Sequence, residues 1–149
     1  MTNLALTIGH HLAIFALFGV LVAERALLSG SIVENLRRLR ALDGAYGALA
    51  LLVLLVGFLR VFFGIKGPDF YVANPIFWAK IASFVAVGLL SIVPTVTILG
   101  WYRRVSLEPG FVPDPHSVGK ARSFLTAELA VFLLIPIFAA AMALGYGLS

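Results

Sequence analysis

Four long apolar runs, separated by short polar breaks, fill most of this chain. The first covers residues 4–28 and ends at Ser29-Gly30-Ser31. A polar stretch with Glu34, Arg37, Arg38 and Arg40 follows, and the second run covers residues 42–63. Gly64, Gly67 and Pro68 then break the pattern, since proline and glycine punctuate helices. The third run covers 75–102, with Pro75 placed to open it. A loop with Pro109, Gly110, Pro113 and Pro115 separates it from the fourth run, residues 118–147. Each run reaches the roughly 20 residues needed to cross a bilayer as a helix. Only helices and closed barrels satisfy every backbone polar group inside hydrocarbon. These runs are too long and too uniformly apolar for barrel strands. The pattern therefore predicts an all-α polytopic membrane protein. Its single domain is a bundle of four transmembrane helices running up and down.

Composition agrees. Hydrophobic residues make up 61% of the 149 and charged residues only 12%. Soluble domains hold about 45–50% and about 25%, so the solvent for this surface is a lipid bilayer. The absence of cysteine excludes disulfides, thiolate metal sites and cysteine nucleophiles. The net charge of +4 does not call for nucleic acid, because the basic residues cluster beside span ends, where topology accounts for them. The first run lacks a basic leader and is too long for a signal-peptide core, so it is expected to be retained.

Orientation follows from the same residues. Arg25, Arg37, Arg38, Arg40, Arg103, Arg104, Lys120 and Arg122 fall on one side; Arg60, Lys66 and Lys80 fall on the other. That bias puts the loops after spans one and three in the cytoplasm and both termini outside. In a bacterium the site would be the cytoplasmic (inner) membrane. Trp101 and Tyr102 match one aromatic belt, Tyr71 and Trp78 the other.

Depth then sorts the ionisable residues into two layers. His10 lies about 9 Å into span one and Lys80 about 8 Å into span three, counting 1.5 Å per residue. Arg60, near the end of span two, joins them in an outer layer. Glu24, Arg25, Asp43 and Glu128 form an inner layer. His10, Ile14, Leu17, Leu21 and Glu24 share one helix face. Lys80, Val87, Ser91 and Pro94 form an inward face of span three. On span two, Asp43, Gly47, Ala50, Leu54 and Gly57 make a small-residue stripe suited to close helix contact.

Each residue carries a plain reading beside the functional one. A charge inside a span costs roughly 2.5–3.5 kcal/mol at the helix centre. Lys80 and Arg60 either snorkel to the headgroups or point into the bundle. His10 either bonds a neighbouring carbonyl or serves a ligand, and His11 points about 100° away from it. Glu24 with Arg25, and Glu128 with Arg122, are expected as ion pairs. Asp43 is expected to cap span two, and Pro94 and Pro136 to kink their helices.

Chemistry narrows further. Haem iron takes histidine ligands, and His10 and His11 are adjacent, so they cannot both reach one iron. His116 lies in the proline-rich loop on the opposite side. A single ligand from His10 or His11 is compatible with the pattern, with Lys80 or Arg60 holding a porphyrin propionate. The outer layer offers too few carboxylates for a metal site, no Ser-His-acid triad lies at one depth, and no phosphate-binding glycine loop is present.

The strings Phe77-Trp78-Ala79-Lys80, Gly88-Leu89-Leu90-Ser91-Ile92-Val93-Pro94-Thr95 and Trp101, with His10 or His11, resemble a bacterial family of four-helix predicted membrane proteins of unknown function. More distantly, the layout resembles the HemJ-type protoporphyrinogen IX oxidases. Those enzymes carry a histidine in the first span and a Trp-x-x-Lys-like motif in a later one; here the string is Trp78-Ala79-Lys80. That resemblance implies haem b as cofactor, His10 and Lys80 as catalytic residues, and His10 as the ligand to haem iron. It implies His10 or His11, Trp78 and Lys80 as cofactor-binding residues, with Arg25 matching a basic residue at the end of the first span; Arg60, from its depth, joins the cofactor-binding set. The leading expectation is a haem- or porphyrin-binding, redox-active membrane protein, a HemJ-like oxidoreductase. The alternatives are an accessory subunit of a larger membrane complex, or a small carrier or channel component built as a homo-oligomer.

Overall fold

The computed structural model describes residues 2–64 and 67–147. Lys66, counted above in the charge bias, lies outside them. Six helices are present and no strand among the described residues: α1 (Thr2–Leu27), α2 (Ile32–Phe63), α3 (Gly67–Val72), α4 (Pro75–Leu107), α5 (Pro115–Phe132) and α6 (Leu134–Ala143). Four helical segments, with α5 and α6 taken together, are long and apolar enough to cross a membrane. Short connections keep consecutive long helices adjacent. α1 packs along α2, α2 meets α4, α4 lies against α5 and α6, and α5 returns to α1. The result is an all-α membrane bundle.

The buried stripe of α1 consists of His10, Ala13, Leu17, Leu21, Glu24 and Leu28. These positions repeat every three or four residues, the period that stacks side chains on one helix face. Leu4, Ile8, Leu12 and Phe15 sit on the other face and are exposed; in a bilayer that face meets lipid. Leu17, Leu21, Val53 and Val87 fill the middle of the bundle.

Three boundaries differ from the sequence expectation. α2 starts at Ile32, ten residues before position 42. Leu36 and Leu39 continue its buried face toward Asp43 while Arg37 and Arg38 stay exposed. The arginine-rich stretch is an amphipathic helical extension rather than a loop. α4 runs on to Leu107, past Tyr102. The fourth run is split at Leu133. Pro136 has no N–H to offer the Phe132 carbonyl four residues before it, which accounts for the break at this point. Pro94, by contrast, lies buried within a continuous α4.

The helix starts are locally encoded. Asn74 accepts a hydrogen bond from the Ile76 N–H at 2.9 Å, with Pro75 in the first turn of α4. Asp114 does the same for Ser117 at 3.0 Å, with Pro115 next to it. A polar cap followed by proline suits a helix start, because the first N–H groups have no intrahelical acceptor. Asp43 caps nothing. It is buried inside α2, where its Oδ1 accepts from the Thr95 hydroxyl of α4.

Candidate functional site

Polar side chains gather at two depths in the bundle. At one end α1 supplies His10, α2 supplies Arg60 and α4 supplies Lys80. His10 is 5% exposed, and its Nδ1 has no hydrogen-bond partner. Lys80 and Arg60 both lie close enough to act on the imidazole electrostatically. Each is half-buried, and among the described residues neither has an ion-pair or hydrogen-bond partner. Gly57 brings the α2 backbone close to the ring: a Cβ there would stand 3.5 Å from His10 Cε1. Glycine at this point lets two helices approach with an imidazole between them.

Two other candidates stand apart from this group. His11 is exposed, and its Nδ1 is 2.7 Å from the Thr7 carbonyl of its own helix. Trp78 is 53% exposed, and its indole N–H donates to the Val72 carbonyl at 3.0 Å. Its neighbour in sequence, Lys80, lies two residues on, about 200° around the helix. His116 is exposed in the first turn of α5, at the far end of the bundle from His10.

At the other end three carboxyl side chains are buried together. Glu24 of α1 is 3% exposed, Asp43 of α2 8% and Glu128 of α5 0%. Glu24 interacts with both of the others. The expected pairs Glu24–Arg25 and Glu128–Arg122 do not form. Arg25 points off the Glu24 face and donates to the Thr126 hydroxyl at 2.9 Å and the Ser29 hydroxyl at 3.1 Å. Arg122 donates instead to the Leu28 carbonyl at 2.6 Å. That carbonyl follows the last turn of α1, where helix acceptors are left over. Consequently Glu24 Oε1 and both oxygens of Glu128 have no hydrogen-bond partner. Among the described residues, Asp43 alone of the three is in ion-pair range of a cation, its Oδ2 standing 3.9 Å from Arg40 Nη1.

Tyr46 completes this layer and is absent from the sequence expectation. It is buried and lies beside Glu128 without meeting hydrogen-bond geometry. The inward stripe of α2 runs through Leu36, Leu39, Asp43, Tyr46 and Val53. Gly47 and Leu54, assigned to that stripe from the sequence, are exposed. Spacing from Leu36 and Leu39 onward would have selected Tyr46, had the helix been extended back to Ile32. A cavity of about 170 Å³ opens between α2 and α4 beside Asp43 and Tyr46.

The two ends do not communicate through polar groups. Leu17, Leu21, Val53 and Val87 separate them. Among the described residues, no three histidine, aspartate or glutamate side chains converge as a metal-ion site.

No curated relative and no solved structure matches this chain. A family described as a predicted membrane protein (DUF2214) matches residues 2–147. With four apolar helices long enough to span a bilayer and a match over nearly its whole length, the chain belongs to that DUF2214 family of predicted membrane proteins.

Proposed function

We propose that the His10 end of the bundle binds a porphyrin, in its iron form haem b, and that the protein is a redox-active membrane protein. The observation that carries this reading is the unpartnered Nδ1 of buried His10 beside two cations that are themselves unpaired. A buried polar atom without a partner costs about 1–3 kcal/mol. A ligand that occupies it recovers that cost. His10 is of the residue type that ligates haem iron, and a porphyrin adds propionate carboxylates for the cations. Arg60 can pair with a carboxylate through two N–H groups, and Lys80 through a point charge.

In this reading each side chain has a distinct task. His10 holds the iron. Lys80 and Arg60 orient the macrocycle by its charged edge. The apolar layer at Leu17 and Val53 keeps water from reaching the site through the bundle. Bound haem supplies one-electron chemistry. The likeness of His10 and the Trp78-Ala79-Lys80 string to the HemJ-type oxidases supports oxidoreductase activity. His11 and Trp78, turned outward, are left out of the binding set. The charge bias supports a bacterial cytoplasmic membrane with the Glu24 end toward the cytoplasm. A carrier role has less support, because the apolar middle offers no polar route through one protomer.

Absorption spectroscopy of the full chain, purified in detergent from haem-replete cells, tests this reading. The expected result is a Soret band that His10→Ala removes and His11→Ala keeps. Lys80→Ala and Arg60→Ala should each weaken haem retention, because each removes one charged partner. A preparation with no Soret band, or a band that survives His10→Ala, overturns it.

A further inference from the structure

The Glu24 end holds a second site of different chemistry. Its three buried carboxyl groups face a single nearby guanidinium, Arg40, at 3.9 Å from Asp43 Oδ2. That distance is too long for a hydrogen bond. Glu128, with 0% exposure, has neither oxygen in hydrogen-bond geometry with a partner, and Tyr46 lies beside it. Buried acidic groups of this kind are compensated in proteins by hydrogen bonds or by a cation. Arg25 donates elsewhere, and Arg122 donates through Nη2 to the Leu28 carbonyl while its buried Nε has no partner. The three acids thus have one ion pair among the described residues, Arg40–Asp43, and a cavity of about 170 Å³ opens beside Asp43 and Tyr46 between α2 and α4.

The cavity wall specifies the missing cation. Asp43 Oδ1 is taken by the Thr95 hydroxyl, which leaves Oδ2 as an acceptor. Ser91 donates its hydroxyl proton to the Gly88 carbonyl at 2.8 Å, so its oxygen keeps lone pairs. Thr95, having donated to Asp43, does the same. Asp43, Ser91 and Thr95 thus offer three acceptors on one cavity, with no donor left over. An ammonium head carries three donors and no acceptor. The rings of Tyr46 and Phe84 also line the space, and aromatic faces attract cations within about 6 Å. A metal ion fits less well, because no three metal-type side chains converge among the described residues. The volume is that of about five or six waters at about 30 Å³ each, which suits a primary ammonium with a short carbon stem.

We propose that the α2–α4 cavity binds a primary ammonium group, with Asp43 as its counter-ion. Two sources share that chemistry, a free small amine and the headgroup of an ethanolamine lipid. This site lies at the opposite end from His10 and goes beyond the haem reading.

Thermal unfolding of the full chain in detergent, titrated with methylammonium chloride at constant ionic strength, tests the free amine. The expected result is a saturable rise in the midpoint that sodium chloride and tetramethylammonium chloride do not produce. Asp43→Asn keeps an acceptor for Thr95 and should weaken binding at least about tenfold, the scale of a lost charged hydrogen bond. Gly88→Leu should abolish binding by filling the space, since a Cβ there meets nothing within 4 Å. Native mass spectrometry from nanodiscs of mixed phosphatidylethanolamine and phosphatidylcholine tests the lipid. Preferential retention of the ethanolamine lipid, lost in both variants, assigns the site to a headgroup. The proposal is overturned if neither methylammonium nor the ethanolamine lipid binds selectively, or if selective binding persists in both variants. The Soret band at His10 should be the same in all of these proteins, so failure here leaves the haem reading standing.

Discussion

Glu128→Leu should make the protein more stable. In detergent, the thermal midpoint of the full chain is expected to rise by several degrees. The side chain is 0% exposed, and neither carboxyl oxygen has a hydrogen-bond partner. Burying such a group costs free energy that a leucine of similar size does not incur. Replacing buried ionic groups by apolar residues of similar volume is neutral or gains about 1–4 kcal/mol. At about 2–4 °C per kcal/mol for a chain of this length, the shift is measurable. Leu125 and Phe132, one turn to either side on α5, are already buried against the core, so a leucine continues an existing apolar stripe. Glu128→Gln should give little or none of the gain, because an amide buried in the same place is also polar. A midpoint that falls on Glu128→Leu would mean that the carboxyl is bonded in the folded protein after all. A residue whose removal stabilises the fold is a residue kept for another purpose, and intramembrane acids are ordinarily functional.

The pattern of apolar positions carried most of the architecture. The face of α1 was legible because His10, Ile14, Leu17, Leu21 and Glu24 recur at helical spacing; the structure buries all but Ile14, which is half-buried while Ala13 takes the buried position. Capping was legible at Pro75, which stands in the first turn of α4, whereas Pro115, assigned to the loop, opens α5. What could not be read was pairing between helices. Glu24 and Arg25 are neighbours in sequence, yet they diverge by about 100° on the helix, and Arg25 finds Thr126, 101 residues away. Asp43 looked like a cap because the arginine run before it resembled a loop. Its true partner, Thr95, is 52 residues away on another helix. Tyr46 was missed because the sequence stripe followed Gly47 and Leu54, one position off the buried line. The depth argument, by contrast, does not depend on pairing. It grouped His10, Lys80 and Arg60 from three helices, and the structure puts both cations within electrostatic range of the imidazole.

Asn74→Ala should be among the most damaging single substitutions in the connecting regions. Asn74 is fully buried and ties two distant parts of the chain. Its Oδ1 accepts from the Ile76 N–H at 2.9 Å and so caps α4. Its Nδ2 donates to the Tyr146 carbonyl at 3.1 Å and so anchors the segment after α6. Gly145 and Gly147 flank Tyr146 with φ of 87° and 83°, values that glycine adopts freely, and they turn this segment back onto Asn74. The approach is close: a Cβ on Gly147 would stand 2.5 Å from Asn74 Oδ1. Loss of the cap costs about 0.5–2 kcal/mol, and loss of the hydrogen bond to the exposed Tyr146 about 0.5–1.5 kcal/mol. Together they predict a fall of several degrees in the thermal midpoint and faster proteolysis of the C-terminal segment. Asn74→Ser separates the two effects, since serine still caps but is too short to reach Tyr146. Gly147→Ala should disturb anchoring and cap together, because its Cβ would run into the capping Asn74 Oδ1. Lys80 lies six residues into the helix that Asn74 starts, so a frayed first turn also loosens the depth at which its charge is held. Haem retention should accordingly weaken in Asn74→Ala and stay near normal in Asn74→Ser. An Asn74→Ala protein that unfolds at the wild-type temperature would show that neither hydrogen bond supports the fold.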